Sequence, residues 1–420
     1  MANRLSVEFR VCFAAALLAL PTAAGAQMAT PVAVVVDRDM TPAAGAADVL
    51  AVQRLLAGVE DRLLPLRLSE STPSKHAVGI AYRIGKWAAL DLPQDSFLMV
   101  AVHEIFGHGS RLREIDAKGI GYEFSAPPPY GSGSAATFFE DDAVRTASRA
   151  DRLAIDTAGI EAQNVLADDI AGDALRQGSI FYRAAWLYVE SRIAALLYIR
   201  SASPQSGPGH DVAAFMNDFN DGCAPPVCTP IASASLERRA LLTLADPMLG
   251  LSAYAFAAGY LVQGQASTRV PMIPLPGGFG YLPVVGFAMT PYGTEWTTDH
   301  YLRAGRRLTR ISVRIGDTGA STAWGLGVRA SQVAARGRLS VGVSGEIWRQ
   351  PPIDAPAVAT ALETGGLAAA TVRVALGGSP RPGRAGLIGE FGYKSDGFVR
   401  GERLRSGLLV RVGLTVALER

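Results

Sequence analysis

Cysteine and histidine are scarce in this chain, three and five among 420 residues. With so few soft ligands and no CxxC pair, the multi-cysteine zinc frameworks of small structural domains are excluded. Charge is sparse too. Asp, Glu, Lys and Arg make up 19% of the chain, the formal net charge is +2, and no long basic run with interleaved aromatics occurs. That balance argues against nucleic acid as a partner, since phosphate backbones are bound by clustered cations. The glycines of "PLPGGFG" follow no strand-to-helix pattern, which excludes a phosphate-binding loop there. What the chain has instead is 45 glycines, abundant alanine and 49% hydrophobic residues. This composition suits extensive buried or lipid-facing surface.

The first 26 residues carry the marks of export. Arg4 and Arg10 precede or flank a short apolar run, "VCFAAALLAL", and "AAGA" then supplies small residues before Gln27. These are the three regions of a secretory signal, with the mature chain expected to begin near Gln27. The run is short for a membrane anchor, which is the alternative reading. Cys12 falls within this segment and in the wrong context for a lipoprotein. Cys223 and Cys228 remain, in "CAPPVC". In an oxidising compartment they are expected to form a local disulfide.

Two periodicities divide the rest. From about residue 45 to 265 the apolar spacing is helical, as in "ADVLAVQRLLAGVEDRLL" and "SIFYRAAWLYVESRIAALLYIR", which gives an expected helical domain over 27–265. "ALLTLADPMLGLSAYAFAAGYLV", from Ala240, is long enough to span a bilayer. Its interior Asp246-Pro247 predicts a kinked, buried or membrane-contacting hairpin rather than a span. After a Pro/Gly-rich hinge, residues 266–420 alternate with a period near two between turns such as "GDTG" and "KSDG". One alternating set is Ile, Val, Leu and Ala, and the other is Gly, Ser, Arg and Glu. The expected fold class is therefore α+β: an N-terminal, mainly helical, zincin-like domain and a C-terminal antiparallel β-barrel-like domain. Strands of about ten residues with an apolar outer set suit an outer-membrane barrel. A soluble β-sandwich produces the same alternation, and the chain ends in Arg420 rather than a terminal aromatic.

Chemistry concentrates in "HEIFGHGS", residues 103–110. A regular helix turns about 100° per residue, so side chains five apart diverge by about 140°. His103 and His108 can share one ion only if a π-type bulge absorbs the extra residue, and Gly107 tolerates such a distortion. Two imidazoles and a carboxylate make a zinc site with an open position for water, whose proton a neighbouring carboxylate can accept. Glu104 is the expected base, and a carboxylate within "LMVAVHEIFGH" needs a partner in any case. Glu161, in "TAGIEAQNVLADD", is the expected third ligand. Asn164 and Asp168 follow it on the same helical face, where either could orient a ligand. Glu140, Asp141 and Asp142 are the alternative third ligands, although an acidic surface patch or helix start explains them more simply. His76, His210 and His300 are read as isolated histidines. His210, after the loop "SASPQSGPG", is the outside candidate for oxyanion stabilisation. Tyr182 and Tyr188 could also serve, although aromatics at helical spacing are usually core.

"HEIFGHGS" resembles the HExxxH zinc signature of dipeptidyl peptidase III, HELLGHGS. The matches are His103, Glu104, Gly107, His108, Gly109 and Ser110, with Ile105 and Phe106 as apolar replacements. The resemblance implies that the two histidines bind zinc, that the motif glutamate activates water, and that a downstream helix supplies a glutamate ligand. That family's second motif has paired acidic residues, whereas Ile160 precedes Glu161 here, and the family is longer, soluble and two-lobed. The likeness therefore implies a metal-site design, not a substrate.

The expectation is an envelope zinc metallohydrolase acting on a peptide or protein substrate, exported to the periplasm and outer membrane. The alternative is a non-catalytic outer-membrane assembly or export protein with a structural metal or none. Glu104 separates them, because a structural site has no use for a non-ligand acid.

Overall fold

The structure is a computed structural model. It describes residues 30–418 apart from 67, 69, 126–134, 141, 204–205, 207–208, 356–359 and 377–384. The expected signal at 1–26 and Asp141 lie outside the described residues.

Among the described residues, ten strands form one antiparallel sheet. They are β1 (Thr30–Val36), β2 (Ile273–Leu275), β3 (Phe279–Thr290), β4 (Gly293–Ala304), β5 (Arg307–Asp317), β6 (Thr322–Arg336), β7 (Leu339–Gln350), β8 (Glu363–Leu376), β9 (Ala385–Lys394) and β10 (Gly407–Leu418). From β2 to β10 each strand pairs with the next, as the tight turns dictate, and β1 closes the order by pairing with β10. The expected barrel is not formed. β1 and β2 are the two edges and do not pair with each other, so the sheet stays open.

The change of period near residue 266 is real, but it does not separate two cores. β1 comes from the start of the helical half and completes the sheet. One apolar cluster also joins Leu166, Ile170 and Leu175 to Leu282, Val284 and Tyr301 of the strands.

The principal helices are α1 (Pro42–Leu63), α2 (Leu92–Ala101), α3 (Gly109–Glu114), α4 (Arg149–Gln177), α5 (Tyr182–Ser201), α6 (Asp211–Asn220), α7 (Ser233–Ala240) and α8 (Pro247–Tyr254). Helix α4 is the axis of the molecule. Ser148 caps it in a reciprocal capping box with Asp151, and Gly178, in the left-handed region at φ 77°, ends it. Its first turns pack with Tyr292 of the tight β3–β4 turn and with Phe398 and Leu404 of the long β9–β10 loop, at one end of the sheet. At its last turn Arg303 donates to the Leu175 carbonyl. A cavity of about 340 Å³ separates α1 and α4 from the inner face of the sheet. Ion pairs line it, among them Arg400–Asp168 at 2.9 Å and Arg411–Glu390 at 3.2 Å.

The segment from Ala240 bends as its Asp-Pro predicts. The pair Ser233–Ala245 and Pro247–Val262 meets at 61°. Asp246 caps the second half by accepting from Met248 N at 2.9 Å. Among the described residues no single helix is long and apolar enough to cross a membrane.

Candidate metal centre

Helices α2 and α3 are one continuous rod, interrupted by a π-turn at Val102–His108. The bulge required by the five-residue spacing is therefore present. The wider turn brings His103 and His108 to one face, with ring centroids 5.0 Å apart. Two glycines explain why the rod lies so close to α4. A Cβ on Gly107 would stand 2.7 Å from the Ala158 carbonyl oxygen, and one on Gly159 would stand 2.1 Å from His103 Nε2. Neither space can take a side chain, so the backbones meet and the His103 ring lies flat against α4.

The third member of the cluster is Asp211, at the start of α6. His103 Nε2, His108 Nε2 and Asp211 Oδ2 form a triangle with sides of 3.1, 3.1 and 3.2 Å. Ligand atoms about 2.0–2.1 Å from a tetrahedral ion stand about 3.3 Å apart, so the triangle has the size of three corners of such a site. The side chains are 12%, 10% and 19% exposed, so the cluster is largely shielded yet still touched by solvent.

Protonation supports the same reading. His108 Nδ1 lies 2.8 Å from the Ile155 carbonyl, which can only accept, so Nδ1 carries the hydrogen. A neutral His108 then turns the lone pair of Nε2 toward the Asp211 carboxylate, an arrangement that needs a cation between them. Burial would push the His108 pKa down, but Asp211 outweighs it and lifts the value to about 9. Although burial opposes it, the two imidazoles hold the Asp211 carboxyl far below the usual carboxylate range. A proton on His108 thus supplies the charge that a metal ion would supply. Tyr198 adds support, its OH accepting from Asp211 N at 3.1 Å.

Glu104 is buried beside the cluster, and its carboxylate accepts from Thr137 Oγ1 at 2.6 Å. Thr137 belongs to a short strand, Ala135–Phe138, paired with Gly121–Phe124. Asp156, one residue beyond Ile155, is a further carboxyl in this environment. Burial, with Asp218 and Asp211 adding repulsion, raises its pKa to about 8, and its Oδ2 has no hydrogen-bond partner.

Glu161 is not part of this group. Both its oxygens accept from Arg111 Nη2, at 2.8 and 2.7 Å, and Oε1 accepts from Gly401 N at 2.7 Å. The helix and the distance from the motif fitted a ligand, but Arg111, three residues past His108, claims the carboxylate. Asn164 and Asp168 also point elsewhere. Asn164 Oδ1 accepts from Arg192 at 2.7 Å, and Asp168 pairs with Arg192 and Arg400. All three residues tie α4 to its neighbours rather than orient a ligand.

The remaining candidates divide similarly. Cys223 and Cys228 form the expected disulfide. His76 pairs with Glu70, and His300 Nδ1 lies 2.8 Å from Tyr281 OH. Tyr182 and Tyr188 are core residues bonded to Lys86 and Asp246. Glu140 accompanies a surface turn, and Asp142 pairs with Arg145. His210 stacks on Tyr198 at 4.4 Å, at the edge of the cluster. The sequence signal for Asp211 was its place beside His210 after a loop rich in Ser, Pro and Gly. Comparison of the chain with known protein families, with curated proteins and with solved structures finds no match.

Proposed function

We propose that the protein is a zinc-dependent hydrolase whose metal is held by His103, His108 and Asp211, with a peptide bond as the target. The observation that carries this reading is the triangle of ligand atoms with Glu104 buried at its side. Two imidazoles and a carboxylate are three donors, the set of catalytic rather than closed four-ligand structural zinc sites, and leave one coordination position for water. Zinc there would supply Lewis acidity and lower the pKa of a coordinated water.

The chain's own groups do the rest. The His108 Nδ1–H···Ile155 bond fixes the ring and its tautomer. Glu104, the one acid of the motif that is not a ligand, accepts a proton and returns it to the leaving amine. Thr137 Oγ1 holds that carboxylate in place. Asp156 offers a second, protonated acid near the cluster.

Metal analysis of the purified full chain tests the assignment. Zinc-loaded wild type is expected to hold one ion per chain, Glu104→Gln to retain it, and His103→Ala and Asp211→Ala to lose it. A wild type that takes up no zinc, or an Asp211→Ala variant at full occupancy, defeats the assignment. Chelator-sensitive cleavage of a peptide library, absent in Glu104→Gln, tests the reaction.

A further inference from the structure

The sheet is inside out for a protein surrounded by water. Alternate residues of β5–β10 face opposite sides. On the concave side, against α1 and α4, stand buried polar and charged groups such as Arg314, Ser312, Lys394 and Arg411. On the convex side stand Val313, Leu326, Ile347, Phe391, Val410 and Val412, all more than a third exposed. Strand register makes these rows continuous. Val313 lies opposite Leu326, Leu326 opposite Ile347, and Phe391 opposite Val410. Burying apolar surface drives folding in water, and a face this large left bare is what a soluble chain avoids.

We infer that the convex face of β5–β10, continued around the molecule by the bent helices Ser233–Val262, is a lipid-facing wall that seats this protein in a bilayer. Three observations select lipid as the occupant. The first is length. Over nine residues of β7, from Leu339 to Ile347, and of β10, from Leu408 to Val416, no outward residue is charged, and Glu346 and Arg411 within them face inward. Tilted strands of about 9–11 residues span a hydrocarbon core.

The second is the boundary. Trp296 faces Ile315, which faces Trp324, which faces Arg349, so two tryptophans lie where the apolar band meets charge. Tyr393 lies toward the same end of the sheet, on β9. The short turns at the opposite end expose Arg306, Arg307, Arg336 and Arg338. Aromatic girdles and flanking cations match the interface between acyl chains and phosphate-bearing headgroups.

The third observation concerns the opening in the sheet. On β3 the outward Phe287 is not exposed, because it is buried in one cluster with Leu236 and Ala240 of α7. Beyond it, the bent pair exposes Leu241, Leu242, Leu244 and Tyr254. These helices carry the apolar exterior past the strand at which the sheet stops being bare. The wall is thus part sheet and part helix. The metal cluster packs against the first half of α4, toward the tryptophan end of this wall.

The inference does not depend on the hydrolase reading, and its test is independent of metal. The full chain, purified in detergent, is reconstituted into phosphatidylcholine vesicles with ordinary or acyl-brominated chains. One variant keeps only Trp324 and another keeps only Trp348, which is 1% exposed on the concave side. Brominated chains are expected to remove most of the Trp324 emission and leave Trp348 bright. Equal emission of Trp324 in both lipids overturns the proposal. So does a chain that remains a monodisperse monomer in buffer without detergent. A dimer that forms without detergent and protects Trp324 also overturns it, since the face would then belong to a second copy. Should a single-tryptophan variant fail to fold, flotation of the wild type with vesicles at high salt and alkaline pH gives the same decision: co-flotation supports the wall, and release removes it.

Discussion

The helical centre and the sheet surface both break the rule that apolar groups go inside, in opposite senses. Around α4 the chain buries ionised groups at high density and satisfies them with one another. Arg111 meets Glu161 and Glu114, and Arg192 meets Asn164 and Asp168. On the convex sheet the chain exposes Val, Leu, Ile and Phe and leaves them uncovered. The first departure is compensated within the molecule, by paired charges and hydrogen bonds. The second has no such compensation among the described residues, and it is the ground on which a lipid surrounding is proposed. Buried charge therefore says little about environment here, while uncovered apolar surface says much.

The sharpest way to break the comparison is to remove charge from the one internal cluster read as incomplete. His103→Ala and Asp211→Ala are expected to lower zinc affinity by at least ~100-fold, because each deletes one of three donors to a single ion. Calorimetric titration of zinc into the chelated protein reads this directly. Comparable affinity in Asp211→Ala would class that aspartate with the structural pairs.

Glu161→Ala should separate structure from function in the other direction. It strands Arg111, 2% exposed, without its main partner. The expected cost is about 3–5 kcal/mol of stability, with zinc stoichiometry unchanged. Chemical denaturation in detergent, beside metal analysis of the folded fraction, distinguishes this from loss of a ligand.

Arginine placed on the bare face probes the second region. Val343→Arg, midway along the Leu339–Ile347 stretch of β7, should cost about 2–4 kcal/mol in a bilayer, the range for a cation near the midplane of a lipid-facing strand. On a water-exposed face the same change is nearly neutral. Refolding titrations into vesicles measure the difference, and a neutral result would return the convex face to water.

The smallest effect is expected at the disulfide. Cys223 and Cys228 close a loop with a sequence separation of five, for which chain entropy gives about 2 kcal/mol. Replacing both with serine should lower the thermal midpoint modestly and leave zinc binding intact. Loss of metal in that variant would show that the loop positions α6 and, through it, Asp211.

Local physics alone determined several features. A spacing of five positions between two histidines demands a π-turn if both serve one ion, and Val102–His108 forms one. Asp246-Pro247 dictates a bend, period-two alternation dictates strands, and a Pro-Pro turn between two cysteines brings them together. Each depends on residues within a few positions of one another, so the sequence carries the whole cause. Tertiary structure decided the rest. The third ligand was a contest between Glu161 and Asp211. Both carboxylates belong to helices, but Arg111 captures the first, and packing of α6 beside Tyr198 delivers the second from 103 residues beyond His108. Whether the sheet closes was equally out of reach, because alternation fixes the two faces of every strand and says nothing of how far the two edges stand apart. That separation depends on the helices packed on both faces of the sheet, with α4 in its concavity and α7 over the outward Phe287, and no local pattern encodes a distance between elements that meet only once the chain has folded.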